Sequence, residues 1–169
     1  GLYTPLKTRS PWCTLVGAFP GALPALIGWA AATGGLSTLG WVLFGVLFAW
    51  QIPHFFALAW TYRGDYAAGG MPMLTVVETS GNRAARQAFA FTAILVTLSV
   101  LPAVLGMTTP WFYGLVALAA GGHFLLKAGR FLSSQPDRDA AAKKLFFASI
   151  SYLPLVLAAL VLDRWLFAG

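Results

Sequence analysis

The sequence predicts an all-α, polytopic membrane helix bundle, and two observations carry that prediction. Hydrophobic residues make up 59% of the chain and charged residues only 9%, against about a quarter charged in soluble domains. The apolar residues fall in continuous stretches of about twenty, the length a helix needs to cross a hydrocarbon core of roughly 30 Å. Because the stretches are continuous and do not alternate, a porin-like barrel is excluded. A single membrane domain over residues 1–169 is expected, with five transmembrane helices.

Residues 1–11, which include Tyr3, Lys7 and Arg9, are too polar to span and are expected to form a surface segment. The spans are expected at about 12–33, 38–62, 86–106, 110–131 and 144–162. Very short links at 34–37 and 107–109 make antiparallel hairpins, whereas the links at 63–85 and 132–143 are longer and polar. The first span carries Gly17 and Gly21 at GxxxG spacing, with Gly28 further on, and Pro20 and Pro24 within it. Small residues at that spacing let helices approach closely in lipid, and ordinary packing accounts for most of these glycines. Cys13 has no partner for a disulfide and no metal-site spacing, so it is expected to be a small buried hydrophobe.

The net charge of +6 reads as topology and not as nucleic-acid binding. If the spans alternate, Lys7, Arg9, Arg63, Arg83, Arg86, Lys127, Arg130, Arg138, Lys143 and Lys144 share one side and Arg164 takes the other. The bias of basic residues to the cytoplasmic side then puts the polar links inside and the C-terminus outside. It also gathers a cationic face on which an anionic head group can dock.

The most informative stretch runs from Trp50 to Tyr66. Gln51, Pro53 and His54 sit inside an apolar run, where polar groups are costly, and Arg63 and Asp65 stand at its polar end. Gln51, His54, Leu58, Thr61 and Asp65 recur at spacings of three and four, one face of a helix if the helix continues to Asp65. That face is polar at the surface and again deep inside, which suits a ligand with an ionic head and a greasy body. The plain alternatives are a hydrogen bond from His54 to a neighbouring helix and a solvated salt bridge between Asp65 and Arg63. His123 has no second ligand nearby and is expected to serve packing. Asp65 is the candidate Mg²⁺ ligand, since that hard cation takes one or two carboxylates and completes its shell with phosphate oxygens and water. Asp137 and Asp139 are expected to form only a solvated turn and helix start. Phe55, Phe56, Trp50 and Trp60 offer π-faces that could shield a cation, or serve simply as packing and interfacial anchors.

The run Trp50-Gln51-Ile52-Pro53-His54-Phe55-Phe56-Ala57-Leu58-Ala59, followed by Arg63, Asp65-Tyr66, Gly69 and Met73-Leu74, resembles the signature of the protoheme IX farnesyltransferase (heme O synthase) family. Tyr3-Thr4-Pro5-Leu6-Lys7-Thr8-Arg9 resembles the segment before that family's fifth helix. The specific motifs are confined to residues 3–29 and 50–74. The resemblance implies an intramembrane aromatic prenyltransferase whose nine helices carry two acidic, Mg²⁺-binding loop motifs. It implies that this chain supplies helices five to nine, a C-terminal portion, and the second motif centred on Asp65. It also implies farnesyl transfer from farnesyl diphosphate to a vinyl group of heme b, giving heme O, with heme b a substrate and no permanent cofactor.

By the same resemblance Tyr3 and Lys7 contact the diphosphate, Asp65, His54 and Lys7 are the catalytic candidates, and Arg9, Gln51 and Arg63 join them in binding substrates. A bacterial cytoplasmic membrane is expected, with heme A synthase or cytochrome oxidase assembly proteins as partners. The first acidic motif has no counterpart here, so residues 1–169 alone are expected to be inactive. Gly69 stands where quinone-type enzymes carry a second aspartate. An acceptor such as a quinone precursor or chlorophyllide is the first alternative. A non-catalytic heme-binding or transporter-like helical protein is the second, since kinked helices suit it too.

Overall fold

The computed structural model describes residues 13–133 and 137–167, and those residues are helical with short connections. Seven α-helices occur in chain order: α1 (Cys13–Thr33), α2 (Thr38–Thr61), α3 (Arg63–Ala68), α4 (Leu74–Val77), α5 (Asn82–Val104), α6 (Leu115–Ser133) and α7 (Arg138–Phe167). A π-helical turn, Pro110–Gly114, leads into α6. Five of the helical stretches are long and apolar enough to cross a membrane: Val16–Thr33, Thr38–Thr61, Asn82–Val104, Pro110–Ser133 and Arg138–Phe167.

The long helices α2, α5, α6 and α7 pack in a closed ring, each against two others, and α1 lies outside it against α2. The ring's interior is built from a few large side chains set among alanines. Phe56, Phe124, Phe131, Ile52, Leu95 and Leu145 are fully buried, as are Ala57, Ala85, Ala88, Ala117, Ala128 and Ala142. In lipid no hydrophobic force draws helices together, so close van der Waals contact over small residues has to do it. Gly121 of α6 lies so near Val96 of α5 that an added Cβ would come within 2.9 Å of its methyl groups.

The two ends of the bundle are closed by different chemistry. At one end both long links meet, because Arg138 at the start of α7 donates to the carbonyl of Ser80 and, at 2.9 Å, to Asn82 Oδ1. At the other end the buried Asp163 carboxylate accepts the Thr109 backbone N–H at 3.1 Å and the Thr109 hydroxyl. Arg164 reaches the Met107 carbonyl at 3.3 Å beside it. Between the ends, Tyr113 donates to the Ser99 carbonyl at 2.8 Å and Tyr152 to the Ser99 hydroxyl at 2.7 Å. A buried hydroxyl or carbonyl left unpaired costs about 1–3 kcal/mol, and this network satisfies three of them inside the ring.

Three boundaries differ by four residues or more from the hydropathy reading. The third span begins at Asn82 and not at 86, and the fifth runs from Arg138 to Phe167 and not from 144 to 162. Hydropathy places a helix start where charges end, whereas at the start of α7 the charges are held by partners: Arg138 is only 3% exposed, and Asp139 is bound by Arg63 and Trp60. The link at 63–85 is also not structureless. It contains α3 and α4, and the buried Thr75 of α4 donates to the Ala59 carbonyl at 3.0 Å, pinning the link to α2. Glu78 then accepts the Arg83 backbone N–H at 2.9 Å, satisfying a free donor in the first turn of α5.

The α1–α2 contact rests on two interlocks. A Cβ on Gly21 would meet Gln51 Oε1 at 2.3 Å, and one on Gly40 would meet the Trp29 ring at 2.6 Å. Gly28, by contrast, faces open space. Gly21→Val is therefore expected to cost about 1–3 kcal/mol by overpacking. Gly28→Ala should be neutral, or stabilising by up to about 1 kcal/mol through helix propensity. Thermal unfolding in detergent, comparing the two variants, measures the difference.

Candidate active site

The polar end of α2 is organised by Trp60, which is 5% exposed. Its indole Nε1 donates to Asp139 Oδ1 at 2.8 Å. The Arg63 guanidinium lies 4.6 Å from the ring centroid and that of Arg138 lies 5.6 Å from it. Gly81, with φ +66°, packs on the ring so closely that a Cβ would come within 2.2 Å of it. The faces of Trp60 are thus already engaged, so it cannot serve as an open wall for a substrate cation. Phe56, 2% exposed, is likewise core.

Arg63 is tied to Asp139 and not to Asp65. Its NH1 lies 3.0 Å from Asp139 Oδ1 and its NH2 donates to Oδ2 at 3.1 Å, while NH1 also donates to the Trp60 carbonyl at 2.9 Å. Asp139, expected to be merely solvated, is therefore the carboxylate that fixes Trp60 and Arg63 on α7. Nothing in single-sequence spacing links positions 63 and 139.

Asp65 is consequently left free. Helix α2 ends at Thr61, Tyr62 interrupts it with φ −105° and ψ 24°, and Asp65 sits in the first turn of the separate helix α3. The side chain is exposed, and among the described residues no hydrogen bond or ion pair engages its carboxylate. One unpaired carboxylate at a polar helix end suits a divalent cation that keeps several waters and takes its remaining oxygens from phosphate. A closed protein cage is absent among the described residues, where no three His, Cys, Asp or Glu side chains converge.

His54 lies deeper on α2. Its ring is stacked between Trp50, at 4.8 Å, and Phe146 of α7, at 5.0 Å. Nδ1 is 2.8 Å from the Ser149 hydroxyl, and that hydroxyl donates to the Phe146 carbonyl at 2.6 Å. With its own hydrogen committed, the Ser149 oxygen accepts, so His54 carries its proton on Nδ1 and leaves the Nε2 lone pair available. Trp50 reinforces the seat by donating to the Ser149 carbonyl at 2.8 Å. The hydrogen bond to a neighbouring helix and the free ring nitrogen therefore coexist on one residue.

Gln51 turns away from His54. It is buried, and its Nε2 donates to the Leu47 carbonyl at 3.2 Å and to the Ala18 carbonyl of α1 at 3.5 Å. The three-and-four spacing placed Gln51 and His54 on one stripe, but a stripe is wide enough to touch two neighbours, α1 and α7. Between α2 and α7 a cavity of about 140 Å³ opens, lined by Leu58, Thr61, Tyr62, Lys143, Phe146 and Phe147. Leu58 and Thr61 of the predicted stripe do meet there, with Lys143 supplying a cation that the sequence reading used only for topology. Phe146 forms part of the lining and of the His54 stack, so the cavity adjoins the histidine. Its volume is below the roughly 300–1,000 Å³ of complete small-molecule sites. Tyr3, Lys7 and Arg9 lie outside the described residues.

The UbiA prenyltransferase family matches residues 1–150. A protoheme IX farnesyltransferase of Opitutus terrae is 57% identical over 97% of this chain and 55% of its own length. Those of Salinibacter ruber and Solibacter usitatus are 47% and 44% identical over 98% and 96% of this chain, and 57% and 55% of their own lengths. The chain thus spans about half the length of the curated relatives it matches. No solved structure gives a significant match. With five apolar helices and a family match running from the first residue into α7, the chain is an integral membrane protein and belongs to the UbiA prenyltransferase family.

Proposed function

We propose that the protein to which this chain belongs transfers a farnesyl group from farnesyl diphosphate to a vinyl group of heme b, giving heme O. The observation that carries the reading is the juxtaposition of an anion-suited mouth with a seated histidine: Lys143 and Tyr62 at the cavity between α2 and α7, and the His54–Phe146 stack beside it. The names of the relatives at 44–57% identity supply the acceptor and the transferred farnesyl group. The cytoplasmic side of the membrane is the side of the polar links, by the excess of basic residues there.

Asp65 would hold a divalent cation such as Mg²⁺, a hard ion suited to a carboxylate and phosphate oxygens. When bound, the cation supplies charge neutralisation for the departing diphosphate. Lys143 adds fixed positive charge at the same end, together with Lys7 and Arg9 of the preceding segment and Tyr3 as a diphosphate contact. Arg63 contributes field and not direct contact, since its guanidinium is engaged by Asp139. As the allylic C–O bond breaks, the electron pair leaves with diphosphate. The vinyl group's terminal carbon bonds to the farnesyl carbon, and water adds to the resulting cation and loses a proton. His54 Nε2 accepts that proton, held in register by Trp50, Phe146 and Ser149. Phe55, exposed at the edge of the His54 ring, shields the same region from premature water.

Gln51 has a positioning role: it fixes α1 against α2. Heme A synthase and oxidase assembly proteins remain the partners that would receive the product.

Three outcomes check this reading in the full-length protein. Asp65→Asn is expected to lower heme O formation by at least about 10²-fold, with thermal unfolding unchanged because the carboxylate holds no partner in the fold. His54→Phe keeps the aromatic stack and removes the base, so turnover should drop by about 10²-fold with folded yield preserved; undiminished turnover would leave His54 a packing residue only. Residues 1–169 alone, given Mg²⁺, farnesyl diphosphate and heme b, should give no heme O by chromatography.

A further inference from the structure

The other face of α7 carries a second cationic feature that farnesyl transfer does not use. Lys127 and Arg130 in the last turns of α6 and Lys144 in the second turn of α7 line a cavity of about 230 Å³, with Asp137, Ala140 and Ala141. Three cations against one carboxylate leave a net charge of two, and among the described residues none of the three is in an ion pair. Lys143 and Lys144 therefore point into different cavities on opposite sides of α7.

A trough of about 580 Å³ continues from this pocket along α6, lined by Phe89, Gly122, Leu125, Leu126, Gly129, Arg130 and Ser133. Arg130 belongs to both linings. The trough exists because glycines interrupt the helix surface: an added Cβ at Gly122 would meet nothing within 4 Å. From Gly122 to Ser133 the helix rises roughly 16 Å, so the trough runs from the polar end towards the middle of the bilayer.

We infer that this continuous surface binds one anionic phospholipid, its phosphodiester between Lys127, Arg130 and Lys144 and an acyl chain along the Gly122–Gly129 trough. Charge complementarity selects the occupant. A zwitterionic lipid brings its own cation to a pocket that already holds three, and a soluble phosphate leaves the trough unfilled. Basic pockets between transmembrane helices on the polar-loop side have the chemistry that anionic head groups require.

The test uses the full-length protein in nanodiscs of phosphatidylcholine with or without phosphatidylglycerol, with bound lipid counted by native mass spectrometry. One phosphatidylglycerol should be retained in preference to phosphatidylcholine. Each cation near the membrane surface contributes enough that Arg130→Ala should weaken retention about fivefold, and Lys127→Ala, Arg130→Ala and Lys144→Ala together about 10²-fold. Gly122→Leu, whose added Cβ meets open space in the trough, should reduce retention while thermal unfolding stays unchanged, so the proposal remains open to refutation if the triple variant fails to fold. Equal retention of phosphatidylcholine would overturn the assignment, as would unchanged retention in Gly122→Leu. Displacement of the lipid by an equal concentration of glycerol 3-phosphate would make this a soluble-phosphate pocket, and a dimer in place of bound lipid would make it a contact between copies of the chain.

Discussion

The polar end of this bundle depends on how the Trp60 indole is held. The ring stands on α2, its N–H is bound by Asp139 of α7, Arg63 and Arg138 lie over its faces, Gly81 at the entry to α5 rests against it, and Phe131 of α6 meets it edge-on at 6.4 Å. All four helices of the ring are therefore fastened through one side chain. A desolvated cation over an aromatic face is worth about 2 kcal/mol or more, and an exposed one about 0.5–1 kcal/mol. Arg138, buried, is of the first kind and Arg63 nearer the second. The Arg63–Asp139 ion pair, with side chains 40% and 63% exposed, contributes little as Coulomb energy and more as a geometric clamp.

That clamp determines which charges remain for chemistry. Asp139 consumes Arg63, so Asp65 keeps no cation beside it and stays available to a metal. Arg138 is spent on Ser80, Asn82 and the aromatic faces, so it holds the loops and not a substrate. Lys143 and Lys144, adjacent in sequence, are separated by a helix face and serve two different openings. The polar end thus sorts its cations into structural and available sets, and the available ones flank α7 on both sides.

Much of the architecture was legible in the sequence, because hydropathy and length respond to the membrane directly. The five spans, the short hairpin links and the close approach at Gly21 follow from residue type and spacing alone. The candidate site was legible only in part. His54 stands out as polar inside an apolar run and Asp65 as a carboxylate at its polar end, but Ser149, the partner of His54, lies 95 positions away, and Asp139, which takes Arg63 from Asp65, lies 76 from Arg63. Periodicity reports which residues share a face; it carries no information on which neighbour covers that face. The start of α7 lies earlier than hydropathy places it for a related reason: a charge inside a helix reads as a boundary unless its distant partner is known.

The stretch from Trp50 to Tyr66 therefore carries two kinds of residue that look alike in sequence. Gln51, Phe56 and Trp60 are spent on α1, the core and the polar-end clamp, whereas His54 and Asp65 expose a lone pair and a carboxylate that the fold does not consume. Loss of Gln51 or Trp60 is expected to disturb helix seating, because each side chain ties α2 to a neighbouring helix. What separates the classes is the folded state itself. A residue whose polar atoms are all matched by protein partners costs stability when removed, and one whose atoms await a ligand does not. By that criterion Asp65 differs from Arg63, the stretch's other formal charge, whose guanidinium is already held by Asp139.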